Sequence, residues 1–397
     1  MAVYILWISV IFILYTYAGF PVILTLLAQI KKKPKPYPIA QPSVTLLIAA
    51  YNEEAVIANK IENSLELDYP KDKLQILVAN DCSDDSTAEI VQQYVDRGVE
   101  LITGKKRRGK TNNIADATAH ARGEILIISD ASNLYLPDTI KELVLPFGDP
   151  TVGATSGSRY IIRGDGPLGD AEGFYWRYEG FIKKQETLLS TCTSAAGDML
   201  AIRRELYEPP PEEIINDDFY ITLQVTRKGK RLVYTPNAKT FERVSPSAQD
   251  EITRRARMVT GRFQAMALSR EMLPWRWPIV VWQIISHKYL RPMVPYAMLG
   301  AFVSNLVLVV WPPQASTNRF WQLASPFCYF FFALQVIFYL LALIGNLTSS
   351  QEHNHIIRSI LYLPTFLYNS NIAAVLGLVR FLRGERSNLW QRVPRRT

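Results

Sequence analysis

Short apolar runs in this 397-residue sequence end repeatedly on carboxylates. "SVTLLIAAY" runs into "NEE" (Asn52–Glu54), "KLQILVAN" into "DCSDDST" (Asp81–Thr87), and "GEILIIS" into Asp130, with Ala131, Ser132 and Asn133 behind it. A carboxylate gains nothing from a hydrophobic core. At the end of such a run it either caps a turn or helix, as Ser83 or Asp85 could do for "STAEIVQQYV", or faces a ligand. "NDDF" sets Asp217 beside Asp218 at the start of a helical pattern. There they favour the helix dipole by ~0.3–1 kcal/mol each. Two adjacent carboxylates can also push one pKa upward and leave a usable general base. "DEITRRARMVTGRFQAM" then carries Arg254, Arg255, Arg257 and Arg262, with Arg254 and Arg257 three apart on one helix face. Such a face either rests on anionic lipid head groups or offers a planar guanidinium to a pyrophosphate.

The elements around these residues explain how they can meet. From Ser43 to Phe147 four apolar strands alternate with four helical patterns, which predicts a parallel sheet covered on both faces. Ligands bind off the carboxyl ends of such strands. Tyr51, Asn52, Glu53, Asp81, Asp84 and Asp130 all fall there, close in space although far apart in sequence. The second half is mixed. "VGATSGSRYII" reads as a strand, "AEGFYWRYEGFIKKQETLL" as an amphipathic helix, and "EEIINDDFYITLQVTRKGKRLVYTP" as a helix then a strand.

"GKKRRGKT" (Gly104–Thr111) matches the Walker A pattern letter for letter, so a nucleotide triphosphatase is a rival reading. A phosphate cradle needs small residues whose amides line a nest, whereas Lys105, Lys106, Arg107 and Arg108 are bulky. Two strand–helix units also precede the motif, and it leaves the acidic clusters unexplained. A solvated basic loop is one alternative. The favoured one is that the loop and Lys110 bring positive charge to a diphosphate.

The net charge is +8, yet mean hydropathy is near zero, because charge and apolar residues are segregated. Val3–Leu27 is almost wholly apolar and long enough to cross a ~30 Å hydrocarbon core. It reads as an uncleaved anchor. "KKKPKP" follows it, which predicts a cytoplasmic middle domain. Further spans are expected near Val294–Trp311 and Ser325–Ile344. A fourth stretch, Ile360–Val379, is interrupted by Pro364, Asn369 and Asn371. A full crossing there would export a basic tail, so either this stretch is a re-entrant or interfacial segment or the parity of the preceding spans is different. The expected domains are a transmembrane anchor (1–30), a catalytic domain (38–250), amphipathic interfacial helices (251–291), membrane segments (292–383) and a basic tail (384–397). Three scattered cysteines give no disulfide framework and no metal-ligand spacing, which fits a reducing compartment. "HNH" at His353–His355 lacks a third ligand nearby. "NLT" at Asn346 is a weak glycosylation match.

Taken together, the motifs resemble those of the membrane-embedded family 2 glycosyltransferases, the group of hyaluronan, cellulose and poly-N-acetylglucosamine synthases and ceramide glucosyltransferase. The resemblance covers about residues 40–290. It implies a GT-A type α/β domain with a mostly parallel sheet, flanked by transmembrane helices. It implies nucleotide-sugar contacts by Tyr51 and Glu53 ("AAYNEE"), by Asp81 at the uracil ("NDCSDDST"), by Lys110 ("RRGKTNN") and by Asp130 ("SDASNLYLPD"). "NDDF" resembles the catalytic-base motif, with Asp218 as base and Asp217 beside it. "RRARM" resembles the Gln-x-x-Arg-Trp motif, with Arg257 as its Arg and Arg254 in place of Gln. The resemblance implies Mg²⁺ or Mn²⁺ at Asp130. Here the second Asp of the metal motif is Ser132, which leaves Asn133 or the diphosphate to complete the site. Met258 replaces the Trp that packs near the acceptor sugar in polymerising members, which speaks against processive synthesis. The implied reaction is inverting transfer from a UDP-sugar to a polysaccharide or lipid acceptor, with a β-linked product. The implied setting is a cell membrane, with membrane lipids as partners and no nucleic acid. Three or four spans make a thin polymer channel unless the protein is a homo-oligomer. The non-enzyme rival is an inactive membrane scaffold.

Overall fold

The structure is a computed structural model. It describes residues 1–31, 36–161, 166–242, 247–314, 317–347 and 355–385; His353 and the basic tail beyond Glu385 lie outside them. The chain divides into two compact units. One consists mainly of Leu24–Pro246 and Gln264–Gln283, the other of Met1–Ile23, Ser247–Phe263 and Ile284–Arg383.

The first unit is built on one eight-stranded sheet. Its strands are β1 (Val44–Ala50), β2 (Leu74–Asn80), β3 (Val99–Thr103), β4 (Ile125–Asp130), β5 (Leu134–Tyr135), β6 (Val152–Ile161), β7 (Leu200–Arg203) and β8 (Arg231–Glu242). Their order is β3-β2-β1-β4-β7-β6-β8-β5. The first four are parallel, as the alternation of strands and helices predicts. β7 then runs antiparallel to both β4 and β6, β8 is parallel to β6, and β5 is antiparallel to β8. β7 has no counterpart among the expected strands. Only four residues long, it lies within "CTSAAGDMLAIRREL", whose small residues carry no period.

Alternation along β1 explains why its apolar run is continuous. Leu46 and Ile48 pack on one face with Ile76, Val78 and Ile127, over the helix Ile57–Leu65. Leu47 points to the other face with Leu77, Leu126 and Ile128, against Ile114 and Ala117. Both faces are closed, so there is no polar side for the sequence to show. Gly123 leads into β4 where a Cβ would lie 2.4 Å from the Thr45 nitrogen. Only glycine fits so close a backbone approach.

In the other unit, the described residues include apolar helices long enough to cross a bilayer. Among the described residues four such helical runs occur: Ala2–Ile30, Pro278–Val310, Phe327–Leu347 and Leu363–Leu382. The chain is a membrane protein on this composition. Two runs differ from expectation. The second begins at Pro278 rather than Val294, because the aromatic and basic stretch "WQIISHKYLR" continues the helix instead of breaking it. The fourth belongs to one continuous helix, His355–Leu382, with Pro364 inside it. Its polar residues are satisfied within the helix pair. Asn369 and Asn346 exchange amide hydrogen bonds of 2.9 and 3.1 Å, and the Asn371 amide donates to the Leu367 carbonyl. Asn346, the tripeptide match, therefore serves a helix–helix contact. Gly345 packs so tightly on Thr365 that a Cβ would overlap its hydroxyl.

Candidate active site

The parallel register puts the strand ends in line. Ala50 pairs with Asn80, Ala49 with Asp130, and Asn80 with Thr103. The loops after β1, β2, β3 and β4 therefore emerge at one edge, carrying Tyr51–Glu54, Asp81–Thr87, Gly104–Gly109 and Ala131–Asn133.

The first two loops are knitted together. The Asn52 amide donates to Ser83 Oγ, and the Asp84 amide donates to Asn52 Oδ1. Asp85 accepts from the Glu54 and Thr87 amides, and Glu54 accepts from the Ser86 amide. Asp85 therefore ties the start of the helix Thr87–Gln92 to the neighbouring loop. Asn52 and Cys82 both sit at φ 54°. Asn tolerates that left-handed conformation better than most residues. Glu53 is buried, its amide donating to Thr87 Oγ1.

Asp81 is engaged within the protein. Its Oδ1 accepts from the Arg108 amide and its Oδ2 from the Gly109 amide, both at 2.8 Å. Both carboxylate oxygens hold the basic loop that enters the helix Lys110–Thr118. The same bonds weigh against the triphosphatase reading, since these amides face a carboxylate and not a vacant nest. Arg107 lies over the Tyr51 ring, 3.9 Å from its centroid.

Lys110, the first residue of its helix, reaches the centre of the site. Its Nζ donates to Asp130 Oδ1 and lies 3.5 Å from the Gly197 carbonyl. Gly197 in turn adjoins Asp218, whose Oδ2 is 3.3 Å from where a Gly197 Cβ would stand. Burial opposes the lysine charge, but the carboxylates of Asp130, Asp217 and Asp218 hold its pKa above the usual value. Lys110, Asp130, Asp217 and Asp218 thus form one charge cluster, and all four were expected site residues.

Asp217 and Asp218 open the helix Asp217–Arg227. Asp217 Oδ1 accepts from the Asp218 amide and Asp218 Oδ1 from the Phe219 amide. Burial and then the neighbouring Asp217 charge push the Asp218 pKa up, against the opposing pull of Lys110 and Lys183. Gln264 staples the approach to this helix, donating to the Glu213 carbonyl and accepting from the Ile215 amide.

Asn133 also differs from expectation. It is fully buried, and its amide donates to Asp198 at 2.6 Å. It is a brace inside the fold, its amide committed to Asp198. Asp198 is equally buried and is gripped by Arg159 at 2.6 Å. Burial opposes its charge, and the Arg159 guanidinium holds its pKa below the ordinary carboxylate range. Behind the same loop, Lys60 is fully buried, donates to the Asn133 carbonyl at 2.6 Å and lies 3.9 Å above the Tyr135 ring. Asp198, Arg159 and Lys60 were not foreseen. Only an acid set among small residues in "SAAGDML", or a lysine on the apolar face of "VIANKIENSL", could have hinted at them.

Burial brings the Lys60 pKa down from 10.5 to about 7. Between those values the unfolded chain holds a proton there that the folded chain has released. Stability therefore rises with pH across that window, by about 1.4 kcal/mol per pH unit from this group, and the full penalty remains below it. In Lys60→Met this contribution is expected to vanish. Thermal unfolding of the detergent-solubilised protein from pH 7 to 10 checks it: equal slopes in the two proteins would contradict a neutralised Lys60.

Arg254 and Arg257 lie in the other unit, on the helix Ala248–Ala267. Arg254 forks onto Glu251 at 2.8 and 2.9 Å, and Arg255 bonds the same carboxylate and Ser370. Burial opposes the Glu251 charge, yet the two guanidiniums bring its pKa down to about 2. Arg254 is thus held in an ion pair within its own helix.

The comparisons agree with this architecture. Residues 45–209 match the family model described as glycosyl transferase family 2. These residues are a family 2 glycosyltransferase domain. A beta-monoglucosyldiacylglycerol synthase from Synechocystis is 24% identical over 73% of this chain and 61% of its own length. A poly-beta-1,6-N-acetyl-D-glucosamine synthase from Staphylococcus aureus is 25% identical over 53% of this chain and 52% of its own. A probable glycosyltransferase from Bacillus subtilis is 28% identical over 51% and 50%. The chain spans about half to three-fifths of the length of these curated relatives. Among solved structures, a mannosyltransferase from Pyrobaculum calidifontis, in complex with GDP-Man and Mn²⁺, shares the fold with a TM-score of 0.70 at 23% identity. That match covers 97% of this chain and all of the other.

Proposed function

We propose that this chain is a membrane-bound inverting glycosyltransferase that moves a sugar from a nucleotide-sugar, a UDP-sugar by the resemblance, to a lipid or polysaccharide acceptor. The observation that carries this reading is the cluster of Asp218, Asp217, Lys110 and Asp130 at the carboxyl edge of the sheet. A hydroxyl attacking an anomeric carbon must lose its proton, and the leaving diphosphate must be compensated. Asp218 takes the proton, its raised pKa making it a better base than an ordinary aspartate. Lys110 stabilises the developing diphosphate charge. Tyr51 and Glu53 line the nucleoside end, while Asp81 positions the basic loop. Arg257 is the second cation of the reaction by the resemblance. Backside attack turns an α-linked donor into a β-linked product. Two of the relatives named above are a beta-monoglucosyldiacylglycerol synthase and a poly-beta-1,6-N-acetyl-D-glucosamine synthase, which supports a lipid or a polysaccharide acceptor. The basic residues Lys31–Lys33 after the first apolar helix support a cytoplasmic catalytic domain.

The test is nucleoside diphosphate release by the detergent-purified full chain. UDP-glucose, UDP-N-acetylglucosamine, UDP-galactose, UDP-glucuronate and GDP-mannose form the panel, with lipid extract as acceptor and ATP and GTP as controls. Release from one sugar nucleotide with a glycosylated product is expected. Phosphate release from ATP or GTP instead would overturn the reading.

A further inference from the structure

The fold's solved neighbour carries Mn²⁺, and the resemblance puts a divalent cation at Asp130. The donor set in this chain does not suit one. A hard dication wants oxygen ligands, usually with one or two carboxylates among them. Asp130 is the single carboxylate of the motif, and it already accepts from the Lys110 ammonium. Both side chains are largely enclosed, 17% and 12% exposed, so water screens the pair little. Ser132 offers only a hydroxyl, turned towards Asn133 Oδ1 at 3.4 Å. Asn133 and Asp198 are fully buried and committed to each other, with Arg159 closing the second side of Asp198. Lys60 adds a further amine behind the loop, at the Asn133 carbonyl. Among the described residues no group of three or more His, Cys, Asp or Glu could hold a metal ion.

Where the motif would have a second aspartate, then, this chain has a serine, and where a dication would sit against Asp130 it has an ammonium. We infer that Lys110 takes the place of the divalent cation, so that the diphosphate of the donor binds, and leaves, without a bound metal. The inference rests on the transferase reading. It assigns Lys110 two partners in turn: Asp130 before the donor arrives, and the diphosphate oxygens afterwards. Asp130 then keeps the lysine placed and charged.

The experiment measures UDP and GDP binding to the detergent-purified full chain by calorimetry, once with EDTA and once with Mn²⁺. The electron paramagnetic resonance signal of free Mn²⁺ gives a readout independent of activity. Affinity for the nucleotide that binds is expected to change by less than about threefold between the two conditions, where a required metal would shift it by about tenfold or more. The Mn²⁺ signal is expected to stay undepleted by protein plus nucleotide. Ser132→Asp, which restores the second carboxylate, is expected to deplete it. Nucleotide binding that collapses in EDTA, or a wild-type chain that takes up Mn²⁺ with UDP, overturns the inference and leaves the transferase reading standing. Binding of neither nucleotide under either condition overturns both.

Discussion

Asp218→Asn is expected to bind the donor nucleotide as the wild type does and to transfer almost no sugar. Asparagine keeps the shape of the side chain and can still accept from the Phe219 amide, so the helix start survives. It cannot take a proton. General-base catalysis contributes about 10²–10⁴-fold, and a loss of that size in turnover with an unchanged nucleotide Kd is the expected split. The pH profile gives a second readout. The base works in its ionised form, so activity falls as pH drops through the Asp218 pKa. That pKa is raised, first by burial and then by the Asp217 charge. The acid limb is therefore expected at a higher pH than for an ordinary aspartate. Asp217→Asn removes the repelling neighbour and is expected to shift the limb back towards lower pH. An inactive Asp217→Asn beside an active Asp218→Asn would exchange the two roles.

What the sequence makes legible follows from how far each signal reaches along the chain. β1 to β4 are readable because each is a short apolar run with a helical pattern behind it, and a sheet closed on both faces demands such runs. Parallel order then brings their ends together without any knowledge of contacts, which is why Lys110 and Asp130 could be placed at one edge; the Asp217–Asp218 pair is marked instead by its adjacent carboxylates and by the resemblance of "NDDF" to the catalytic-base motif. Long-range pairing is what stays hidden. Arg159 and Asp198 are 39 residues apart and Lys60 and Asn133 are 73 apart. Neither partner carries a local mark of the other. Asp81 shows a different limit. A carboxylate at a strand end can face a ligand or hold loop amides, and the bonds from the Arg108 and Gly109 amides are contacts that the local sequence does not show. The fourth apolar helix was obscured by its polar residues, whose partners Asn346 and Leu367 supply what the bilayer does not.

Lys110→Met is expected to weaken nucleoside diphosphate binding and turnover together, in contrast to Asp218→Asn. A hydrogen bond to a charged group is worth about 1.5–3 kcal/mol, which corresponds to roughly 10–150-fold in Kd. A purely steric role would be preserved by methionine, which fills nearly the same volume, so the affinity loss reports charge. A second effect follows from the cluster. Lys110 is one of the cations that lower the Asp218 pKa. Without it Asp217 and Asp218 lose a compensating charge, the Asp218 pKa climbs further, and the acid limb of the residual activity moves to still higher pH. Lys110→Arg keeps the charge and should recover much of the affinity and hold the limb near its original position, at some cost in fit beside the Gly197 carbonyl. If Lys110→Met bound UDP and GDP as tightly as the wild type and left the limb where it was, the lysine would be a brace for Asp130 alone. The diphosphate would then need another cation.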